Sequence, residues 1–348
     1  GGGGGGGSSA TPTATPTPTP PPVTGFDYSA MFTNLADNII IPNYQAFKTS
    51  VDAFVEASGP IAGYCAAIGG DDESATLATA QTSWRAMMVQ WQKAEVHNLG
   101  PAAEEASLLR NQIYAYDTRP FDSCRTDRAV VLAEEDGFDI ATRDFNSRGL
   151  DALEYLLFED NLAHTCTDAN PQTDPWNART ELERKQARCA YAVDVANDIN
   201  TAVTAIISDW QGSYRQTFIG NSDTHELILE SISDAMFYVE KDTKDGKLGT
   251  PLGFHTDCTE VACPASVESS YSQHELQNIR ANVEAFWSLY TGGEGSSFDD
   301  IISAADMASV NTEFNTTVDA ILALVDTMIG DGDSVSAQAQ AIVDSSSR

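Results

Sequence analysis

Apolar residues recur along most of the chain at three- and four-residue steps, which is the spacing of one buried face of an α-helix. Over residues 26–54 this pattern predicts one helix that Pro42 kinks or divides, because proline lacks the amide hydrogen of a helix interior. Strand-like alternation is scarce, so the chain is predicted to be all-α. The further predicted helices cover Ser74–Glu95, the stretch from the turn at Gly137 to Phe158, Glu181–Trp210, Glu226–Val239, Gln273–Tyr290 and Ser309–Ile329.

These helices are more numerous than one four-helix bundle requires. We therefore expect two packed helical bundles, over residues 26–165 and residues 166–348, with the boundary in the loop Asn161–Trp176. Residues 1–25 differ, since glycines and serines precede a Thr-Pro repeat. This composition predicts a flexible tether and then an extended polyproline II spacer. Bacterial lipoproteins often begin this way after an acylated cysteine, so an N-terminal lipid anchor is a hypothesis; a cloning remnant is the alternative for some of the glycines.

The charge of the chain restricts its partners. Its 51 acidic and 19 basic residues give a formal net charge of -32, which repels nucleic acid phosphates and anionic lipids. We expect no nucleic acid partner, and membrane attachment only through the proposed anchor, since no apolar run of 18 residues occurs. The acidic surface either keeps a secreted protein soluble or collects cations, and the net charge alone does not distinguish these two functions.

Six cysteines form close pairs along the chain and lack the two CxxC motifs typical of structural zinc. Proximity in sequence predicts three disulfides, and these favour an oxidising compartment. The alternative is six reduced, buried thiols. The predicted pairs are Cys65–Cys124, Cys166–Cys189 and Cys258–Cys263.

The helix that ends at Phe158 contains the most informative acidic pair. Asp151 and Glu154 are three residues apart, so their carboxylates share one helix face, and leucines surround them. Buried carboxylates require cations, hydrogen-bond donors or a metal ion. Helical bundles build iron sites from acids and histidines at this spacing. Bonds to Arg148 or to loop backbone are the structural alternative.

Glu95 and His97 precede the helix-breaking pair Gly100-Pro101. They are candidates to reach the Asp151/Glu154 site from a neighbouring helix and to complete a metal site. The alternative is a capped, solvated helix end.

The segment around Asp151 resembles the signature of the imelysin family: glycine, any residue, histidine, two residues and glutamate, followed by Tyr-Leu-Leu. The matching positions are Gly149, Asp151 and Glu154. Other segments resemble the same family in the same order along the chain. They are Ile41-Pro42-Asn43-Tyr44, Trp84, Trp91-Gln92-Lys93-Ala94-Glu95 with Gly100-Pro101, Lys247-Leu248-Gly249-Thr250-Pro251-Leu252-Gly253 and Val267-Glu268-Ser269-Ser270-Tyr271-Ser272.

One position departs from the family signature, because Asp151 stands where the family has histidine. An oxygen donor is kept and a nitrogen donor is lost, which favours hard cations over a zinc-type site. The family is also associated with insulin-cleaving, M75-type metallopeptidases. His225-Glu226 and His274-Glu275 begin like HExxH motifs, but Leu229 and Asn278 occupy the fifth positions.

The resemblance implies a bacterial cell-envelope protein, periplasmic or surface-exposed, that takes part in iron uptake by binding rather than by turnover. Its ligand would be iron, another divalent cation, haem or a partner among envelope iron-uptake proteins. The predicted site is a pocket between the two bundles that contains Arg148, Gly149, Asp151 and Glu154. An imelysin-type metallopeptidase and a purely structural or interaction module are the alternatives.

Overall fold

In the computed structural model, residues 23, 25–116 and 118–346 are described, and within them the chain is all-helical, with no strand. Almost all of the tail predicted over residues 1–25 lies outside these residues. No helix of the described part is long and apolar enough for a membrane span. The α-helices are α1 (Tyr28–Asn34), α2 (Ile41–Val55), α3 (Pro60–Ala67), α4 (Glu73–Glu95), α5 (Glu104–Ile113), α6 (Ser123–Leu132), α7 (Gly149–Phe158), α8 (Thr173–Asn177), α9 (Glu181–Asp209), α10 (Arg215–Ile219), α11 (His225–Met236), α12 (Thr250–Leu252), α13 (Glu275–Thr291), α14 (Phe298–Ala304), α15 (Ala308–Gly330) and α16 (Val335–Ser346).

The long amphipathic helices follow the hydrophobic pattern closely. The predicted bounds of α4, α9, α13 and α15 agree with the structure to within two residues at each end. The helix predicted from the Gly137 turn to Phe158 is wrong over its first half. There, the side chains of Asp139 and Asp144 accept hydrogen bonds from the backbone of two short 3₁₀ turns, Ile140–Thr142 and Phe145–Ser147. Such local bonds compete with an α-helix, which begins only at Gly149.

Pro42 does not divide its helix into separate segments. It lies in the first turn of α2, where a missing backbone donor is tolerated. A π-helical segment, Leu35–Ile40, connects α1 to α2, so the backbone remains helical through the proline.

The helices pack as two groups that share one long contact. Helices α2, α4, α7 and α9 pack together around a core that includes Trp84, Trp91 and Tyr191. Helices α13, α14 and α15 form the second group, and α4 also packs against α13. This arrangement is consistent with two packed bundles, although α9, which follows residue 165, packs with the first group. The boundary in the loop Asn161–Trp176 stays a prediction.

Two of the three predicted disulfide pairings are wrong. The structure joins Cys65 to Cys189 and Cys124 to Cys166, whereas Cys258–Cys263 is confirmed. Helix α3 packs against α9, which brings Cys65 and Cys189 together although 124 residues separate them. Sequence proximity fails here because helix packing, and not chain distance, decides which thiols meet.

We expect peptide mapping to recover this connectivity. After digestion without reduction, the Cys65 peptide should be linked to the Cys189 peptide, and the Cys124 peptide to the Cys166 peptide, because no free cysteine remains. Reduction of the intact protein should add about 6 Da, two hydrogens for each bridge. A peptide that links Cys65 to Cys124 would contradict the packing of α3 on α9.

Candidate functional site

Helix α7 begins at a position that only glycine fits well. Gly149 has a φ of +76°, and a Cβ atom built on it would lie 2.5 Å from the Ile113 carbonyl oxygen. The turn before it is held by Tyr191, whose hydroxyl donates to the Ser147 carbonyl at 2.6 Å. The indole of Trp84 donates to the Leu150 carbonyl at 3.1 Å. These contacts fix the start of α7 and so the direction in which its acidic face points.

That acidic face borders a cavity of about 410 Å³. Asp151 and Glu154 of α7 line it together with parts of two segments, residues 116–121 and residues 246–271. The cavity therefore lies where α7 of the first helical group meets chain that precedes α13 of the second. Of the described residues that line it, none is basic and four are acidic: Asp151, Glu154, Asp257 and Glu268.

The two carboxyls of α7 are held in an environment that resists their ionisation. Burial raises the pKa of Glu154 to about 7, although Ser272 donates to Oε2 from its hydroxyl at 2.5 Å and from its amide at 3.1 Å. The pKa of Asp151 is raised well above its usual range by burial and then by the nearby charge of Glu154. Neither carboxylate forms an ion pair within the described part of the chain. A cation in the cavity would relieve this crowding of negative charge.

Glu268 is a further acidic residue of the cavity, and its role was not predicted from its chemistry. Its Oε2 accepts from the Tyr114 hydroxyl at 2.5 Å and from the Gln92 amide at 3.2 Å, and its Oε1 accepts from the Asn278 amide at 2.8 Å. It belongs to the segment Val267–Ser272, which the family resemblance had singled out without assigning it a function. That resemblance was the only signal in the sequence, because Glu268 is 114 residues from Glu154 along the chain.

Lys247 balances the charge of Glu268 from inside the protein. Its ammonium lies 3.2 Å from Glu268 Oε2, and both side chains have no exposed surface. The ammonium also donates to Gln92 Oε1 at 2.5 Å and to Asn282 Oδ1 at 2.8 Å. The ammonium is thus engaged by one carboxylate and two side-chain oxygens. Lys247 therefore leaves the Asp151/Glu154 pair uncompensated.

The remaining predicted site residues are not among the residues that line the cavity. Arg148 points to α9, where its guanidinium binds both carboxylate oxygens of Asp198 at 2.8 Å, so it does not bind the acids of α7. Glu95 is buried and pairs with Arg110 at 2.6 Å. His97 is buried too, with its Nε2 2.7 Å from the Asn43 amide nitrogen, and burial lowers its pKa to about 3. Neither Glu95 nor His97 lines the cavity or lies at a solvated helix end.

The donor set of the cavity restricts which ligand fits. Within the described residues, no three His, Cys, Asp or Glu side chains converge as a preformed metal site. The described residues that line the cavity supply carboxylates and hydroxyls, but no His, Cys or Met side chain. Haem fits this lining poorly, because its negative propionates would lie among four acidic residues. Among the described lining residues, only tyrosines could serve as axial ligands of a haem iron. A hydrated cation, bound partly through its water shell, matches this lining better.

Comparisons with known proteins agree with this fold. The family model named Imelysin matches residues 40–347. An imelysin-like protein from Psychrobacter arcticum 273-4 superposes with a TM-score of 0.63 at 17% identity, covering 91% of this chain and 90% of that one. A candidate iron-regulated protein A precursor from Parabacteroides distasonis ATCC 8503 gives 0.56 at 18% identity, covering 91% and 92%. No curated protein matches the chain.

Proposed function

Because this chain belongs to the imelysin family, we propose that it is a cell-envelope protein of iron acquisition that binds a hydrated cation in the α7 cavity. The observation that carries the proposal is the pairing of Asp151 and Glu154 on one cavity wall where, among the described residues, neither carboxyl forms an ion pair and no lining residue is basic. The charges of Arg110 and Arg85 favour ionisation of Asp151 and Glu154 respectively, but burial outweighs them. The ligand is cargo in this proposal and is bound without being chemically changed.

The chemistry of the lining favours iron or another oxygen-preferring cation. Carboxylate and hydroxyl oxygens suit hard cations, and Asp151 adds an oxygen where the family has an imidazole nitrogen. The network around Glu268 keeps the third carboxylate fixed, since its position depends on donors from α4, α13 and the loop residue Tyr114. A rigid wall of charge with an open interior is suited to a cation that keeps part of its water shell.

The proposed location outside the cytoplasm rests on different observations. Three disulfides are the pattern of proteins that fold in an oxidising compartment. The structural neighbour from Parabacteroides distasonis is described as a precursor, which fits export of that protein. We extend this location to the present chain, with attachment through an N-terminal lipid anchor as part of the same proposal.

The double variant Asp151→Asn/Glu154→Gln is expected to bind Fe(II) at least about tenfold more weakly than the wild type, because it loses two anionic oxygen donors. Anaerobic isothermal titration calorimetry at pH 7.5 measures the change. Glu134→Gln is the control, since it removes one charge from an exposed ion pair with Arg179 away from the cavity. Equal affinity in wild type and double variant would remove the proposed site.

Cation binding is expected to strengthen as pH rises, because only the ionised carboxylates attract a cation. With a pKa of about 7, Glu154 changes from mostly protonated at pH 6 to mostly ionised at pH 8. The ionised fraction of Glu154 thus rises about tenfold, and the affinity for the cation should rise by about the same factor. The raised pKa of Asp151 acts in the same direction. Mn(II), which keeps one oxidation state, serves as the probe. A pH-independent affinity between pH 6 and pH 8 would contradict the assignment to these carboxyls.

A further inference from the structure

A second cavity has the opposite charge from the α7 cavity. We name it the arginine cavity; its volume is about 460 Å³, and Arg125, Arg128, Thr142, Arg143, Asp144 and Ser147 line it. Arg125 and Arg128 are three residues apart on α6, so they share one helix face. Arg143 lies between the two 3₁₀ turns that precede α7. Three arginines thus line one cavity in a chain with only 19 basic residues.

The positive charge of the arginine cavity is only partly balanced by the protein. Among the described residues, Asp144 is the one acidic residue that lines it. Its carboxylate already pairs with Arg119 at 3.1 Å and with Arg125 at 3.6 Å. Arg128 and Arg143 have no ion-pair partner in the part of the chain that the structure describes. The Nε of Arg143 is buried and has no hydrogen-bond acceptor there, which is costly for a charged donor.

The arginine cavity is also held in place before any ligand arrives. The Asp122 side chain caps α6 by accepting from the Arg125 amide at 2.9 Å, and the neighbouring Cys124 is bonded to Cys166. Asp144 caps the turn on the other side by accepting from the Phe145 amide at 3.0 Å. The backbone that carries the arginines is therefore fixed, and less ordering is needed on binding.

We propose that the arginine cavity binds a small oxyanion with two or more negative charges, a polycarboxylate or a phosphate. Guanidinium groups present forked donors that match carboxylate and phosphate oxygens, and such charge-assisted bonds are stronger than neutral ones. The negative field of the rest of the protein is screened within about 10 Å at 0.1 M salt, so the nearby arginines dominate at the site. The proposal does not depend on cation binding in the α7 cavity.

Isothermal titration calorimetry with two probes tests the proposal: tricarballylate for polycarboxylates and inorganic phosphate for phosphates, both in buffer with about 0.1 M chloride, where the negative field of the protein is screened. We expect at least one probe to bind the wild type, and the tighter probe identifies the class. Arg128→Gln/Arg143→Gln should weaken that probe about tenfold or more, through the lost charge-assisted bonds. Arg128→Gln alone should weaken it too, and Arg128 is exposed, so this variant tests the site without disturbing the core.

Two controls separate a site from general charge. Arg215→Gln/Arg280→Gln also removes two positive charges, but from exposed ion pairs with Asp37 and Asp326. This control variant should bind the probe like the wild type. Asp151→Asn/Glu154→Gln should also bind it unchanged, which excludes capture through a cation in the α7 cavity. The proposal would be overturned if neither probe binds the wild type. It would also be overturned if the Arg215/Arg280 control loses as much affinity for the probe as Arg128→Gln/Arg143→Gln.

Discussion

Replacing Gly149 by alanine is expected to lower the free energy of unfolding by about 2 to 5 kcal/mol. The backbone at this position has a φ of +76°, which strains any residue with a Cβ atom. The added methyl would also lie 2.5 Å from the Ile113 carbonyl oxygen at the end of α5, so α7 or α5 must shift. Urea unfolding followed by circular dichroism measures the loss.

Gly137 provides a matched control for this substitution. It has nearly the same φ, +77°, but among the described residues no atom beyond its own chain neighbours lies within 4 Å of the position of a Cβ. Gly137→Ala should therefore lose only about 1 kcal/mol, the cost of the left-handed backbone alone. The difference between the two variants measures the collision with Ile113. If both variants lose the same amount, the close approach of α7 to α5 is wrong.

Replacing Lys247 by methionine is expected to destabilise the protein by about 3 to 5 kcal/mol. Methionine keeps most of the side-chain volume but removes the ammonium that lies 3.2 Å from Glu268. The glutamate is then left with its charge buried, and the side-chain oxygens of Gln92 and Asn282 each lose a donor. Thermal and urea unfolding at pH 7 report the change.

A double variant distinguishes an unpaired charge from lost packing. Lys247→Met/Glu268→Gln removes both charges, so it should be more stable than Lys247→Met alone. Lys244→Met is the surface control: Lys244 is mostly exposed and lies 3.5 Å from Glu240, and its loss should cost less than about 1 kcal/mol. A Lys247→Met protein as stable as the wild type would show that the buried pair contributes little.

Hydrophobic periodicity was sufficient to predict the long helices, because each one buries a face against neighbours of the same kind. Helices α9 and α13 are of this type, and their bounds follow from the sequence. The failure before α7 has a local cause. The side chains of Asp139 and Asp144 cap short 3₁₀ turns, and Gly149 adopts a left-handed backbone conformation. These local features override the helical spacing of apolar residues in the segment.

The candidate site was predictable only where its residues are close in sequence. Asp151 and Glu154 share a helix face, and the family resemblance identified the same two positions. Glu268 and Lys247 come from segments about a hundred residues further along. The packing of α4 against α13 places Gln92 beside Asn282, where Lys247 donates to both side chains and Glu268 accepts from Gln92. Glu95 and His97 were candidates to reach the site from a neighbouring helix, but their side chains contact Arg110 and Asn43.

The nested arrangement of two disulfides has a consequence for the order in which the chain acquires them. The Cys124–Cys166 bridge lies within the loop closed by Cys65–Cys189. When the chain is synthesised from its N-terminus, Cys65 and Cys124 are both available long before Cys189. Their pairing is therefore the earliest one available, and it is non-native. The native pairing forms if Cys65 of α3 stays reduced until Cys189 of α9 is available. Otherwise a thiolate must attack the early Cys65–Cys124 bridge and exchange it. A disulfide isomerase would therefore accelerate formation of the native protein.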